Sequence, residues 1–310
     1  MRGIPWQDLV DRQEGFINFT PELHAVLPEV RVAVIGAGGN GAVLDLLARA
    51  GFARFAIIDP DLVEGTNLNR LPFGRDAIGR PKAAVWKEYL RNIHPGCEVA
   101  AFERSISRHD GPWLREVLSE TALVFLGTSD VEANLVTGRT ASELGIRMVI
   151  GPASSGSCIV STFTHDNGLD VETLGRFGTT GTPLQDIDYK ALRPLYAKAM
   201  AFPGRQGNVT PETWKGLQSG DLPARSCGIF VRLTNAAMAL EGIKNAAALR
   251  GLSLERTRVV AMPEVQVFDP WSGCAYRYNV QTGAIGIPVW PGGEVHWLEP
   301  VSSVGQESDA

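Results

Sequence analysis

Residues 30–41 read VRVAVIGAGGNG, and this stretch decides the fold. Val30 to Ile35 is a β-branched apolar run, the composition of a strand covered on both faces. Gly36-Ala37-Gly38-Gly39-Asn40-Gly41 ends it as a turn. Ala42 to Ala50 follows with helical composition, and Gly51 closes it as a C-terminal cap. Phe55-Ala56-Ile57-Ile58-Asp59 is a second buried strand. Strand, glycine turn, helix and strand make the βαβ unit of a parallel sheet.

The same alternation continues outward. It predicts helices over 79–93, 111–119 and 131–144, with strands over 97–102, 122–126 and 147–150. The fold class is therefore α/β: a Rossmann-like, mostly parallel sheet flanked by helices, with C-terminal strands extending the sheet. Residues 1–28 are an N-terminal helical segment, in which Thr20-Pro21-Glu22 marks a helix start with Thr as cap and Pro at the first position. Residues 29–165 are the nucleotide-binding domain. From 166 to 226 the pattern dissolves into Gly-, Thr-, Pro- and Gln-rich sequence with one helix at 188–200, an irregular crossover or substrate-binding segment. Residues 227–300 complete the domain with a helix over Ile229–Leu249 and strands at 259–262, 265–268 and 276–280. The Ser-rich, acidic stretch 301–310 is expected to be a disordered tail.

Composition narrows the function. A net charge of -5 disfavours nucleic acid as a general partner, because that affinity rests on clustered Lys and Arg. No apolar stretch reaches the roughly 18 residues that cross a bilayer, so no membrane is expected as partner. The start MRGIPWQDLVDRQ lacks a basic-then-apolar leader, and the expected location is cytoplasmic. Cys97, Cys158, Cys227 and Cys274 form no CxxC pair, which argues against a paired-cysteine zinc site and for reduced thiols. The five histidines show no ligand spacing.

The chemistry is concentrated around the glycine turn. Gly36, Gly38, Gly39 and Gly41 bring backbone N–H groups to a helix N-terminus, which favours anions. Asp59, at the end of the next strand, suits ribose hydroxyls. These features alone fit any nucleotide, including that of an NAD(P)-dependent oxidoreductase. The continuation discriminates. DPDLVEGTNLNR (59–70) and GRPK (79–82) add Asp61, which is either a turn residue or a ligand, and Asn67, Arg70 and Lys82. A dehydrogenase has no need of that Arg and Lys, whereas ATP and its displaced pyrophosphate need compensating charge. Asp130 follows the strand at 122–126, at the carboxyl end where open α/β sheets bind ligands, and offers a hard oxygen to Mg²⁺.

GAGGNG, IIDPDLVEGTNLNR, the GRPKA helix start and the acid after the fourth strand together resemble the ThiF/MoeB/HesA superfamily, which includes the adenylation domains of ubiquitin-activating enzymes. Asp11-Arg12-Gln13 and Glu241-Gly242-Ile243-Lys244 resemble further elements of it. The resemblance implies an ATP-dependent adenylyltransferase acting on a carboxylate. The substrate it implies is the C-terminus of a ubiquitin-like or sulfur-carrier protein or a peptide. It assigns Asp59 to the ribose, Asn67, Arg70 and Lys82 to phosphates, and Asp130 to Mg²⁺. Arg12 would reach the ATP of a neighbouring subunit, which implies a homodimer. The chain departs from the family in Leu71 after Arg70, in Val131 after Asp130 and in lacking the zinc cysteines of many bacterial members.

Cys227 stands between the irregular segment and the late helix, where family relatives place a cysteine that takes the activated acyl group; a buried helix-start residue is the alternative. Cys97, Cys158 and Cys274 are expected to pack. Tyr189, Arg193, Tyr196, Lys198, Phe202, Arg205, Trp214 and Lys215 form either a surface for a macromolecular substrate or an anchor for the loop. Other functions remain open: activation of a carboxylate on tRNA, an oxidoreductase, or a catalytically degenerate member acting as a binding module.

Overall fold

The computed structural model describes residues 5–152, 156–199, 210–219, 221–222, 225–255, 257–289 and 294–298. Its strands are β1 (Arg31–Ile35), β2 (Arg54–Ile58), β3 (Glu98–Phe102), β4 (Leu123–Leu126), β5 (Arg147–Ile150), β6 (Cys158–Phe163), β7 (Glu264–Asp269), β8 (Cys274–Asn279), β9 (Ile285–Val289) and β10 (Glu294–Leu298). The helices are α1 (Trp6–Val10), α2 (Pro21–Val26), α3 (Val43–Ala50), α4 (Lys82–Ile93), α5 (Gly111–Leu118), α6 (Val131–Glu143), α7 (Val171–Gly175), α8 (Tyr189–Ala199), α9 (Pro211–Ser219) and α10 (Gly228–Leu249).

One ten-stranded sheet runs β10-β9-β8-β7-β6-β5-β4-β1-β2-β3. Pairing is parallel from β3 through β5. It turns antiparallel between β5 and β6 and stays so to β10. The expected parallel core is present, so half of this mixed sheet is Rossmann-like and half is an antiparallel extension. The reversal follows from the connections. A parallel neighbour needs a long crossover, whereas only seven residues separate β5 from β6 and short turns join β7 to β10.

The apolar runs read as strands are buried on both sides. Val32, Val34, Phe55, Ile57 and Phe125 face Leu44 and Leu47 of α3, Trp86 and Leu90 of α4, and Met238 and Ile243 of α10. Ala33, Ile35, Ala56 and Ile58 face the other way, with Leu114 of α5 and Leu135 and Val136 of α6. Each fully covered Leu, Ile or Phe contributes about 1.5–3 kcal/mol, so this two-sided burial is the main force holding the parallel half.

Several expectations need correction. The helix expected over 79–93 starts at Lys82. Gly79 (φ 83°) and Arg80 instead continue a backbone pairing with Val63, Gly79 N–H donating to Val63 O and Val63 N–H to Arg80 O. No strand forms at 259–262; Ala261 makes a single bridge to Thr162. The N–H of Val260 goes to the buried carboxylate of Glu241, which removes it from any ladder. The segment called irregular contains α7 and α9 besides α8, which is the one helix expected there. Arg139 of α6 holds α7 through a bidentate pair with Glu172 at 2.8 Å and donates to the carbonyls of Thr179 and Thr182. Arg108 pairs with Glu132 and lies 4.5 Å over the Tyr189 ring. Tyr189 is buried and donates to Leu184 O, so it anchors the segment. Arg193 and Lys215 are exposed. Phe202, Arg205, the side chains of Tyr196 and Lys198, and the proposed tail 301–310 lie outside the described residues.

Cys97 and Cys158 are buried as expected, and burial pushes the Cys97 thiol up to about 11. Cys274 is exposed at the start of β8 and is not a packing residue. No helix among the described residues is long and apolar enough to cross a membrane.

Candidate nucleotide-binding site

The strand order changes direction between β1 and β4, and the loops leaving their carboxyl ends meet there. Gly36 N–H donates to Ile58 O and Gly127 N–H to Ile35 O, so the ladders run into both loops. Gly36 has φ 84°, and a Cβ on it would lie 2.7 Å from Thr128 N. A Cβ on Gly127 would lie 2.8 Å from Gly36 O. The two loops touch backbone to backbone, and only glycine permits it. Gly38, by contrast, has nothing within 4 Å of its missing Cβ among the described residues, which leave the loop open on that side. A short 3-10 turn, Asn40–Ala42, then leads into α3.

Three groups fix the loop from outside. Asp59 accepts from Ala37 N–H at 2.6 Å and from Asp61 N–H at 2.8 Å. Burial pushes the Asp59 carboxyl up, while Lys82 and these two N–H groups pull it down. Trp86 Nε1 donates to Ala37 O at 2.9 Å, and Asn235 Nδ2 donates to Gly39 O at 3.0 Å. Neither Trp86 nor Asn235 was legible as a site residue, because each sits in a helix that reads as packing. Asn235 does not stand out even within α10, which also carries Arg232, Thr234, Glu241, Lys244 and Asn245.

The predicted cations converge here. Lys82 is the first residue of α4; its side chain is 8% exposed and its Nζ donates to Asp61 Oδ2 at 2.8 Å. This makes Asp61 the partner of Lys82 rather than only a turn residue. Arg70 passes over the glycine loop, with Cδ 3.3 Å from where a Cβ on Gly39 would be. It donates to Thr66 O and Asn69 Oδ1, has no carboxylate partner among the described residues, and is drawn down by burial. Asn67 is buried and its Oδ1 accepts from Glu64 N–H, so that oxygen shapes the loop.

The start of α10 closes the cluster. Asn69 Nδ2 donates to Ser226 O, and a Cβ on Gly228 would lie 2.1 Å from Asn69 O. Cys227 is the N-cap residue of α10 and is exposed, which overturns the buried helix-start alternative.

Asp130 is exposed at the carboxyl end of β4. Its Oδ1 caps α6 by accepting from Ala133 N–H at 2.9 Å, and its own N–H donates to Thr128 Oγ1. No group of three or more His, Cys, Asp or Glu among the described residues is arranged to hold a metal. A lone exposed carboxylate fits an ion such as Mg²⁺, which takes most of its ligands from water and phosphate. Arg12 is not brought to this crevice. It is exposed beside Gln13, whose Nε2 reaches Arg49 O at the far end of α3 from the glycine loop.

The model of the ThiF family matches residues 10–251. A sulfur carrier protein adenylyltransferase of Thermus thermophilus is 29% identical over 160 residues, covering 51% of this chain and 58% of that protein. A tRNA threonylcarbamoyladenosine dehydratase of Haemophilus influenzae is 38% identical over 91 residues, 29% of this chain and 35% of that protein. A ubiquitin-like modifier-activating enzyme 5 of Oryza sativa is 29% identical over 207 residues, 58% of this chain and 49% of its own. The chain thus spans between 35% and 58% of the length of these relatives. Among solved structures, E. coli MccB with ATP superposes with a TM-score of 0.60 at 16% identity, covering 83% of this chain and 66% of that one. PaaA gives 0.58 at 16%, covering 87% and 68%.

Proposed function

The chain belongs to the ThiF family, and from that premise we propose that it activates the C-terminal carboxylate of a protein or peptide with ATP, as an acyl-adenylate. The observation that carries the reading is the convergence of Arg70 and Lys82 on the glycine loop that Asp59 braces. A carboxylate oxygen of the substrate attacks the α-phosphorus, the bond to the β-phosphate breaks, and pyrophosphate leaves. Arg70 and Lys82 offset the negative charge that gathers on the departing group, and the loop N–H groups hold the phosphates still. Positioning and electrostatics do most of this work, with no covalent bond to a side chain required.

Mg²⁺ held by Asp130 would supply further positive charge to the phosphates. Ribose hydroxyls would meet Asp59. The Thermus relative's name points to a sulfur carrier and the rice relative's to a ubiquitin-like modifier, and such proteins are the partners this reading favours. Arg12, at the wrong end of α3 for its own crevice, would serve the site of a second copy in a homodimer.

ATP–pyrophosphate exchange dependent on a protein or peptide with a free C-terminus tests the reading. Tight NAD(P)H binding without ATP binding refutes it. A second reading, a carboxylate carried on tRNA, is favoured by the Haemophilus relative and opposed by the net charge of -5. Exchange dependent on tRNA rather than protein would establish it.

A further inference from the structure

We infer that Asn235 and Trp86 are positioning residues that turn the N–H groups of Asn40 and Gly38 toward the phosphates of the bound nucleotide. This rests on the glycine loop being the phosphate cradle, the premise it shares with the proposed function.

The argument starts from the peptide unit. In a planar trans peptide the C=O of one residue and the N–H of the next point in opposite directions. Whatever holds the carbonyl therefore aims the amide. Trp86 Nε1, from α4, holds Ala37 O at 2.9 Å, so the N–H of Gly38 faces away from α4. Asn235 Nδ2, from α10, holds Gly39 O at 3.0 Å, so the N–H of Asn40 faces away from α10. Ala37 N–H is already taken by Asp59, whereas Gly38 N–H and Asn40 N–H make no hydrogen bond among the described residues. The loop is open at Gly38.

The energetics of Asn235 point the same way. It is fully buried, and its Oδ1 has no hydrogen-bond partner among the described residues. A buried acceptor left unmade costs about 1–3 kcal/mol, comparable to or more than one neutral hydrogen bond returns. Val231, Met238 and Ala239, one turn away on α10, are buried and apolar, so an apolar side chain of similar shape would suit that packing. Folding stability does not account for the amide, while orientation of the Gly39–Asn40 peptide does.

The test is Asn235→Leu in the full chain, with affinities for ATP and for adenosine and the thermal midpoint measured side by side. ATP affinity should fall by about tenfold or more, as for loss of a charge-assisted contact. Adenosine affinity should stay within about twofold, and the midpoint should change little, because removal of the unmade Oδ1 acceptor offsets the loss of the bond to Gly39 O. Trp86→Phe keeps an aromatic ring in the core while removing the N–H donor together with part of the indole; it should lose some stability, and it should show the same phosphate-selective loss even if Asn235→Leu folds poorly. Equal losses for ATP and adenosine, or none for either, overturn the assignment. If the wild-type chain binds NAD⁺ and not ATP, the adenylation reading falls, and the same comparison with NAD⁺ and pyrophosphate decides the role of Asn235. A wild-type chain that binds no phosphate-bearing nucleotide refutes both.

Discussion

Gly36→Ala probes the closure between the loops after β1 and β4. The new methyl would start 2.7 Å from Thr128 N and 2.9 Å from the Gly127 carbonyl carbon, both backbone atoms that cannot rotate aside. Overpacking of this kind costs about 1–3 kcal/mol. The φ of 84° adds roughly 1–2 kcal/mol for an L-residue in a left-handed conformation. Restriction of the unfolded chain offsets about 0.4–1 kcal/mol. The expected net loss is about 2–4 kcal/mol, or about 1 M in the urea midpoint for a slope near 3 kcal/mol/M. Gly38→Ala is the control, since its methyl meets nothing within 4 Å and no positive φ is involved. It should cost under about 1 kcal/mol, yet weaken ATP binding by intruding on the phosphate space. Urea unfolding followed by intrinsic fluorescence reads the first effect and calorimetric titration the second. If Gly36→Ala unfolds within about 0.5 kcal/mol of wild type, the loops are not in contact and the crevice is misdrawn.

Arg70→Ala and Asp130→Ala should each lower ATP–pyrophosphate exchange by the equivalent of about 2–4 kcal/mol while the fold survives; near-normal exchange in both would move the phosphate and metal site elsewhere. Mixing Arg12→Ala with Lys82→Ala should restore part of the activity through heterodimers with one intact composite site, and a fully active monomer by light scattering contradicts this. Cys227→Ser should retain exchange; if the thiol accepts the acyl group, it should also lose the reducible adduct with the partner, and an adduct that persists excludes Cys227 as acceptor. Burial pushes Glu172 up, but Arg139 and Thr179 outweigh it and hold the carboxyl below its ordinary value. A depressed carboxyl stabilises above the unfolded value and loses that contribution as pH falls through the folded one. Proteolysis within 171–186 by a protease active at both acid and neutral pH should therefore accelerate as pH falls below the ordinary glutamate range, whereas in Arg139→Leu it should already be fast at neutral pH.

The parallel core was legible because each strand is a continuous apolar run bounded by glycine or a polar turn, a pattern that local sequence alone dictates. The antiparallel extension was legible only in part. Residues 259–262 have strand composition, yet Glu241, distant in sequence, claims the Val260 N–H and keeps the segment out of the ladder. Helix α7 has five residues and no periodicity to read; Arg139, 33 residues away from Glu172, holds it in place. In the site, Asp59, Arg70 and Lys82 announce themselves by charge at fixed spacing from the glycines. Trp86 and Asn235 do not, since their contribution is one hydrogen bond each to a carbonyl 49 or 196 residues away. Arg12 is visible in the sequence, but its use depends on a second copy.

The reversal of strand direction between β5 and β6 bears on how such chains diverge. Every residue assigned to the nucleotide except Asn235 lies before that seam, and among the described residues α10 is the one long element that returns across it to the glycine loop. Hairpins beyond the seam can be lengthened, recoloured with new side chains or exchanged wholesale, provided α10 keeps its seat. A graft that takes β7 to β10 from a relative, leaving α10 native, is the cut line this architecture recommends for protein engineering.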